Sequence, residues 1–217
     1  MKKIITSFSF LLVFTSAYAL RTDSALTYQP KFSVLFGLNQ PIVLGGFNAE
    51  LNYWTKRFVV DYSHGIQLKM PGELIGGEVE RQQLDVKIPH TLGFGFGYRI
   101  TNGLNLRLEP KLHIFELYNK DDAQLTANRI ARYFTFTLGL GAYYRWMPFQ
   151  KKANALKGIT IAPSVRWWPN ISSSLTDDKL NYTSKTGQQL THNALNIGVQ
   201  NTPWIINISV GYSFSKQ

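Results

Sequence analysis

The stretch His90–Ile100, HTLGFGFGYRI, decides the fold of this chain. Every second position carries an apolar side chain, and these positions are Leu92, Phe94, Phe96, Tyr98 and Ile100. The positions between them hold Thr91, three glycines and Arg99. Because successive side chains of a β-strand point to opposite faces, this alternation predicts a strand with one apolar face and one polar face.

The same alternation recurs in seven other segments, three of them clear and four less regular. The clear segments are 104–114, 134–146 and 204–214, and the others are 31–38, 43–54, 57–68 and 158–168. All except the segment 31–38 reach the roughly 9–11 residues that a tilted membrane strand needs. The chain therefore belongs to the all-β class, with eight predicted strands.

Two architectures use strands of this kind. A soluble sandwich buries its apolar faces between two sheets, whereas a membrane barrel turns them outward to lipid and encloses the polar faces. In this chain the apolar faces are rich in aromatic residues near their ends, the polar faces combine charges with glycines, and the connections differ widely in length. These features favour an eight-stranded antiparallel up-and-down transmembrane β-barrel over a ligand-binding periplasmic sandwich.

The first 19 residues predict export. Lys2 and Lys3 precede an apolar run that is too short to span a bilayer, and Ala17-Tyr18-Ala19 gives the small-x-small pattern of a cleavage site. We therefore expect a signal peptide over residues 1–19 and a barrel domain over residues 20–217.

Composition excludes several function classes. The 217 residues include no cysteine, which rules out a disulfide scaffold, a thiolate metal site and a cysteine nucleophile. Charged residues make up 17% of the chain, below the roughly 25% of soluble domains. The net charge of +10 would suit nucleic acid, but no basic stretch is interleaved with stacking aromatic residues, so we expect no nucleic-acid partner.

The signal peptide, the eight strands and the closing segment Val210-Gly211-Tyr212-Ser213-Phe214 resemble small bacterial outer-membrane barrels of the OmpA/OmpX/OmpW-like kind. The resemblance implies a Gram-negative outer membrane, contact with its lipid and lipopolysaccharide, insertion by the barrel-assembly machinery, and a monomer. An even strand number places both termini in the periplasm and the long connections 69–89, 119–130 and 170–203 outside the cell.

Projection of the polar faces into the bore predicts a lumenal charge network. Its members are Glu50, Asp61, Arg99, Arg107, Glu109, Lys111, Arg145 and Arg166. Eight strands enclose a bore that side chains just fill, and burying an unpaired charge costs several kcal/mol, so we expect structural ion pairs. Since the bases outnumber the acids, a narrow solute path or a small-anion site is the functional alternative.

Aromatic residues at the strand ends predict two membrane-interface girdles. The periplasmic girdle would contain Tyr53, Phe58, Tyr98, Tyr144, Trp146, Tyr212 and Phe214. The outer girdle would contain Trp167, Trp168, Trp204 and Tyr118. Glycines 93, 95, 97, 139 and 141 lie on the opposite, inward faces and are expected to make room for long lumenal side chains.

Three functional hypotheses follow. The first is a non-enzymatic surface protein for adhesion, protection or envelope integrity, with 170–203 as its main contact surface. The second is a narrow porin-like channel for small solutes, and the third is a lipid A-modifying enzyme. Ser63 and His64 with Glu116 and His113 are the only conceivable acyl-transfer set, and adjacent strand residues point to opposite faces. We therefore predict no catalytic, cofactor-binding or metal-binding residue.

Overall fold

The computed structural model describes residues 31–215, which hold eleven strands and three short α-helices. The strands are β1 Lys31–Gly37, β2 Phe47–Trp54, β3 Phe58–Met70, β4 Leu84–Arg99, β5 Leu104–Asn119, β6 Ala131–Tyr144, β7 Ile159–Trp167, β8 Asn170–Ser173, β9 Lys179–Thr183, β10 Gln189–Asn193 and β11 Trp204–Ser215. The helices are α1 Asn39–Val43, α2 Gly72–Ile75 and α3 Gly77–Arg81. The predicted signal peptide lies outside the described residues.

Eight of the strands close into a barrel. Strands β1 to β7 pair antiparallel in chain order, and β11 pairs with both β7 and β1 to complete the ring. In the closing pair Val34 lies opposite Tyr212 and Phe36 opposite Val210. This arrangement confirms the predicted eight-stranded antiparallel barrel. The strands β8, β9 and β10 are additions between β7 and β11.

Several strand bounds differ from the predicted segments at one end of the barrel. β4 begins at Leu84 rather than at residue 90, and β5 ends at Asn119 rather than at residue 114. β2 begins later than the predicted segment 43–54, because residues before it belong to α1 and the turn that follows. The barrel wall is therefore tall along β3, β4 and β5 and low along β1 and β2.

In strands β3 and β4, the set of alternate residues that points into the bore changes at one level. Gln67 has a φ of 54°, and its level on β4 is Pro89, because Ile66 pairs with His90 and Leu68 pairs with Ile88. Below this level the buried residues of both strands are polar or glycine, apart from Val59, whereas above it they are Leu68, Met70, Leu84, Val86 and Ile88. A shift of one residue reverses the facing of a strand, so the upper bore acquires an apolar inner wall.

The outer wall of the barrel is apolar. Exposed side chains include Phe32, Phe36, Phe47, Leu51, Phe94, Phe96, Leu106, Leu108, Leu140, Val165, Ile206 and Ile208. Between the short turns 55–57 and 100–103 and the level of Ile66, the outward faces of the eight barrel strands carry no Asp, Glu, Lys or Arg within residues 31–215. Each Å² of such surface costs about 25 cal/mol in water, and a continuous belt of it suits lipid.

Nine predicted girdle residues lie on this wall or at its edge. Tyr53, Phe58, Tyr98, Tyr144, Trp146, Trp167, Trp204 and Phe214 are exposed, and Tyr212 is half-buried. Two further predictions are wrong. Tyr118 is 1% exposed, and its hydroxyl donates to Glu116, which also binds Arg129 of the next connection. Trp168 turns into the lumen, as the alternation after the exposed Trp167 requires.

The long connections form a folded cap over the tall end of the barrel; we call residues 71–83, 120–130 and 168–203 the cap. Its apolar core joins cap residues to upper strand residues, and includes Ile75, Val79, Tyr182, Ala194 and Ile197 together with Val86, Ile88, Phe115, Leu117 and Tyr133. Glu78 of α3 accepts hydrogen bonds from Asn193 N at 3.2 Å and Asn196 Nδ2 at 3.0 Å. The connection 170–203 is thus a packed element, not a polar loop.

None of the helices between residues 31 and 215 is long and apolar enough to cross a membrane.

Acid should loosen the cap, because it would place a positive charge on His192 of β10, which is buried. It is 0% exposed, with Nε2 3.3 Å from the Tyr133 hydroxyl and Nδ1 3.8 Å from Glu78 Oε1. Burial lowers the pKa of His192 below its usual value, and the Glu78 carboxylate offsets only part of this. A depressed histidine pKa stabilises the folded cap above about pH 6.5, and this stability is lost as the pH falls below that value.

Hydrogen exchange measures this effect. We expect amide protection in residues 179–193, corrected for intrinsic exchange, to fall between pH 7.5 and pH 5, and the His192→Gln variant to lose most of this pH dependence. Equal protection of the wild-type cap at both pH values would contradict the prediction.

Candidate functional site in the barrel lumen

Arg107 of β5 is the centre of the lumenal ion pairs. Its Nη1 donates to Glu50 Oε1 on β2 at 2.7 Å and to Asp61 Oδ2 on β3 at 3.0 Å, while Nε donates to Asn105 Oδ1 at 2.7 Å. The arginine and both acids are at most 6% exposed. One guanidinium therefore connects three strands across the bore and is shared by two carboxylates.

Glu109 is the third lumenal acid, and it is shared between two groups. The Tyr143 hydroxyl donates to Glu109 Oε2, and Lys111 Nζ lies 3.8 Å from Glu109 Oε1. The Tyr143 ring also stacks under the Arg107 guanidinium, 4.0 Å from ring centroid to Cζ. The middle of the bore is thus filled by a continuous polar layer, which we call the plug: Glu50, Asp61, Arg107, Glu109 and Tyr143.

Two predicted members of the charge network, Arg99 and Arg145, do not pair with these acids. Arg99 donates to the carbonyls of Thr55 and Lys56, and Arg145 donates to the carbonyl of Asn102 at 3.1 Å. The guanidinium of Arg145 lies 4.2 Å from the ring of Trp54. Cations at the short-turn end are therefore held by turn carbonyls and an indole.

Trp54 is a lumenal residue that the predicted charge network does not include. It is 1% exposed, and its Nε1 donates to Ser33 Oγ at 3.1 Å. The signal for its position was present, because Glu50, Asn52 and Trp54 share one face of β2 by alternation. Its ring forms the floor beneath Arg107 and Arg145.

The inward glycines face the long side chains of neighbouring strands. Gly93 pairs with Lys111, Gly97 with Arg107, and Gly141 with Arg166. A Cβ at Gly95 would overlap the Asp61 carboxylate, and one at Gly141 would lie 2.9 Å from Arg166 Cγ. The plug and these glycines are therefore one packed unit, in which a small residue on one strand admits a large one from the next.

Gly95→Val should destabilise the barrel, since it forces two methyl groups into space that the Asp61 carboxylate fills. Overpacking of this kind costs about 1–3 kcal/mol. Urea unfolding of the protein refolded in phosphatidylcholine vesicles should show a lower midpoint. Ala142→Val, on the exposed outer wall, is the matched control and should leave the midpoint nearly unchanged.

Above the plug, two cations lie beside Trp168. Lys111 Nζ is 4.1 Å and Arg166 Cζ is 5.1 Å from its ring centroid. Among residues 31–215 no carboxylate lies within ion-pair distance of Arg166, whereas Arg107 pairs with Glu50 and Asp61 and Lys111 lies 3.8 Å from Glu109. Arg166 Nε is buried and makes no hydrogen bond.

A cavity of about 360 Å³, the lumenal cavity, lies between these cations and the cap. Lys111, His113, Thr137, Arg166 and Trp168 line its polar part, where His113 Nε2 lies 2.9 Å from Thr137 Oγ1. Leu68, Met70, Ile88, Phe115 and Ile197 line its apolar part. Sequence reasoning missed the cavity, because its roof comes from cap residues that are far away in the chain.

The conceivable acyl-transfer set is not assembled. Ser63 is buried on the lumenal face, whereas His64 lies on the outer wall with its Nε2 3.3 Å from His90 Nδ1. Glu116 binds Arg129 at 2.6 Å, and His113 binds Thr137. Within residues 31–215 no three His, Asp or Glu side chains are grouped as metal ligands.

No family model matches the chain, and no curated protein matches it significantly. Among solved structures, the N-terminal β-barrel domain of Pseudomonas aeruginosa OprF aligns with 10% identity and a TM-score of 0.40, covering 87% of this chain and all of that one. Acinetobacter baumannii CarO2 aligns with 10% identity and a TM-score of 0.35, covering 88% of this chain and all of that one.

Proposed function

We propose that this chain is a non-enzymatic outer-membrane β-barrel protein whose bore is closed and whose folded cap faces the surroundings. The main observation behind this proposal is the closed bore. The plug fills the middle of the barrel with buried side chains, and the cap core covers the other end. An eight-stranded barrel leaves no further room for an aqueous path.

The apolar outer wall and the exposed aromatic residues at its edges support an outer-membrane location. The proposed orientation puts the short turns, including 55–57 and 100–103, in the periplasm together with both termini, and the cap outside. Outer-membrane lipid, lipopolysaccharide and, during assembly, the barrel-assembly machinery are the proposed partners, and the barrel works as a monomer.

Surface contact is the proposed role: adhesion, protection or envelope integrity. The exposed side of the cap offers polar groups held in fixed positions, since Lys120 Nζ binds Glu73 Oε1 and Lys185 Nζ binds Asp122 Oδ1, both at 2.6 Å. Exposed pairs of this kind add little stability, but they fix the surface that a partner would meet.

Planar-bilayer recording tests the closed bore. We expect no stepwise conductance from the purified barrel at neutral pH. Reproducible single-channel steps that the Arg107→Ala substitution alters would contradict a closed bore and favour a narrow charged channel instead.

Whole-cell proteolysis tests the orientation, and lipid analysis tests the absence of catalysis. A protease added to intact cells should cut in the cap and spare the connection 148–157; the reverse pattern would invert the proposed topology. The lipid A mass spectrum should be the same with and without the protein, and a change in acyl chains would favour an enzyme.

A further inference from the structure

The lumenal cavity has a one-sided charge. The residues that line it include Lys111, Arg166 and His113 but no Asp or Glu. The three acids of the lumen lie below it in the plug, where Arg107 and Tyr143 bind them. The charged side chains among these lining residues are therefore all basic, which favours an anion.

Several buried polar atoms of the cavity wall have no hydrogen-bond partner. They are Arg166 Nε and Trp168 Nε1, which can only donate, together with Thr91 Oγ1 and the acceptor Gln40 Oε1. Arg166 is 6% exposed, so water at the protein surface does not satisfy it. Buried donors without partners are costly, and a pair of acceptor oxygens beside Arg166 and Trp168 would remove that cost.

The apolar part of the wall lies on the cap side. Leu68, Met70 and Ile88 face it from the strands, and Leu74, Ile197 and Val199 face it from the cap. At about 30 Å³ for each water-sized group, 360 Å³ holds about a dozen non-hydrogen atoms. A dozen atoms correspond to one small acidic head with an alkyl chain of medium length.

We infer that the lumenal cavity binds an amphipathic monocarboxylate of medium chain length. The carboxylate lies between Arg166, Lys111 and Trp168, and the alkyl chain lies among the apolar residues below the cap. Arg166 supplies planar donors that match a carboxylate, and Lys111 adds a second positive charge. This site is independent of the surface role proposed above and does not require the bore to conduct.

Access is easiest on the low side of the barrel, where β1 ends at Gly37 and α1 begins. Val43, Trp204 and Ile206 line the cavity and are also more than half exposed on the outside. These side chains lie between the cavity and the outer wall at this level. An acid dissolved in the outer membrane could enter here by side-chain movement, without disturbing the plug.

Binding is tested on the full-length mature chain refolded into phosphatidylcholine vesicles, by equilibrium dialysis of radiolabelled decanoate against protein-free vesicles of the same composition. We expect one saturable site per chain. Unlabelled decanoate should displace the label, decanol should do so at least about tenfold more weakly, and decyltrimethylammonium should have no effect, since the site contributes charge-assisted hydrogen bonds.

Two variants and one control locate the site. Arg166→Gln should weaken decanoate binding at least about tenfold. Leu74→Trp, a change at a half-buried cap residue, should block the cavity and abolish saturable binding even if the arginine variant does not refold. Arg132→Gln, a half-exposed arginine outside the lumen, should bind as the wild type does.

Three results would overturn the inference. Absence of saturable binding would mean that the cavity holds water only. Equal displacement by decanol and decanoate would show that Lys111 and Arg166 do not contribute to binding. Unchanged binding in Leu74→Trp, or in a folded Arg166→Gln protein, would place the ligand elsewhere.

Discussion

Replacement of Arg107 by alanine should destabilise the barrel by about 3–5 kcal/mol, because it leaves Glu50 and Asp61 buried without their shared counter-charge. Both carboxylates are within 3.0 Å of the same Nη1 atom, so one substitution removes two ion pairs. Urea unfolding of the protein refolded in phosphatidylcholine vesicles, followed by tryptophan fluorescence, measures the loss as a lower midpoint concentration of urea.

The matched control is Arg132→Ala, which removes an arginine whose side chain is 48% exposed and 3.8 Å from Glu116. This change should cost less than about 1 kcal/mol. A triple variant that also carries Glu50→Gln and Asp61→Asn should recover much of the loss, because the orphaned charges are then absent. An unchanged midpoint for Arg107→Ala would show that the plug is not a packed charge network.

Replacement of Trp54 by alanine should cost about 3–5 kcal/mol, which is the range for emptying a buried aromatic site. The indole is 1% exposed and supports the guanidinium groups of Arg107 at 5.5 Å and Arg145 at 4.2 Å. Its loss leaves a cavity below the plug and removes both cation–π contacts. The same urea series measures the change.

Trp54→Phe separates packing from hydrogen bonding. The phenyl ring keeps most of the contact area and the stacking, and loses only the donor to Ser33 Oγ. We expect a cost near 1 kcal/mol, since one neutral hydrogen bond is lost. If alanine and phenylalanine were equally destabilising, the hydrogen bond and not the ring would be the important feature of Trp54.

The barrel, and which side chains point into or out of it, were predictable where apolar and polar residues alternate without interruption. In β4 and β5 the sequence alone places Gly95 and Arg107 inward and Phe96 and Leu108 outward, and the structure has them there. The same alternation places Trp54 and Trp168 inward, although Trp168 was predicted to lie in the outer girdle. The sequence therefore contained the signal for both lumenal tryptophans.

The upper half of the barrel was not predictable in the same way. The facing of β3 and β4 shifts at Gln67 and Pro89, so apolar residues point inward above this level and outward below it. The alternation there consists of two short patterns, and the sequence does not show that both belong to one strand. The cap core adds Ile75 and Tyr182, whose burial depends on contacts with distant strands.

By itself, the sequence determined the strands, the lipid-facing wall and the set of charges that enter the bore, because the two-residue period of a strand is a local property of the chain. Only the tertiary structure decided how those charges are distributed. Arg107 lies between Glu50 and Asp61, whereas Arg166 is left with an unpartnered nitrogen beside a cavity. That difference depends on distances across the closed bore and on a cap folded over it, and neither is set by neighbouring residues.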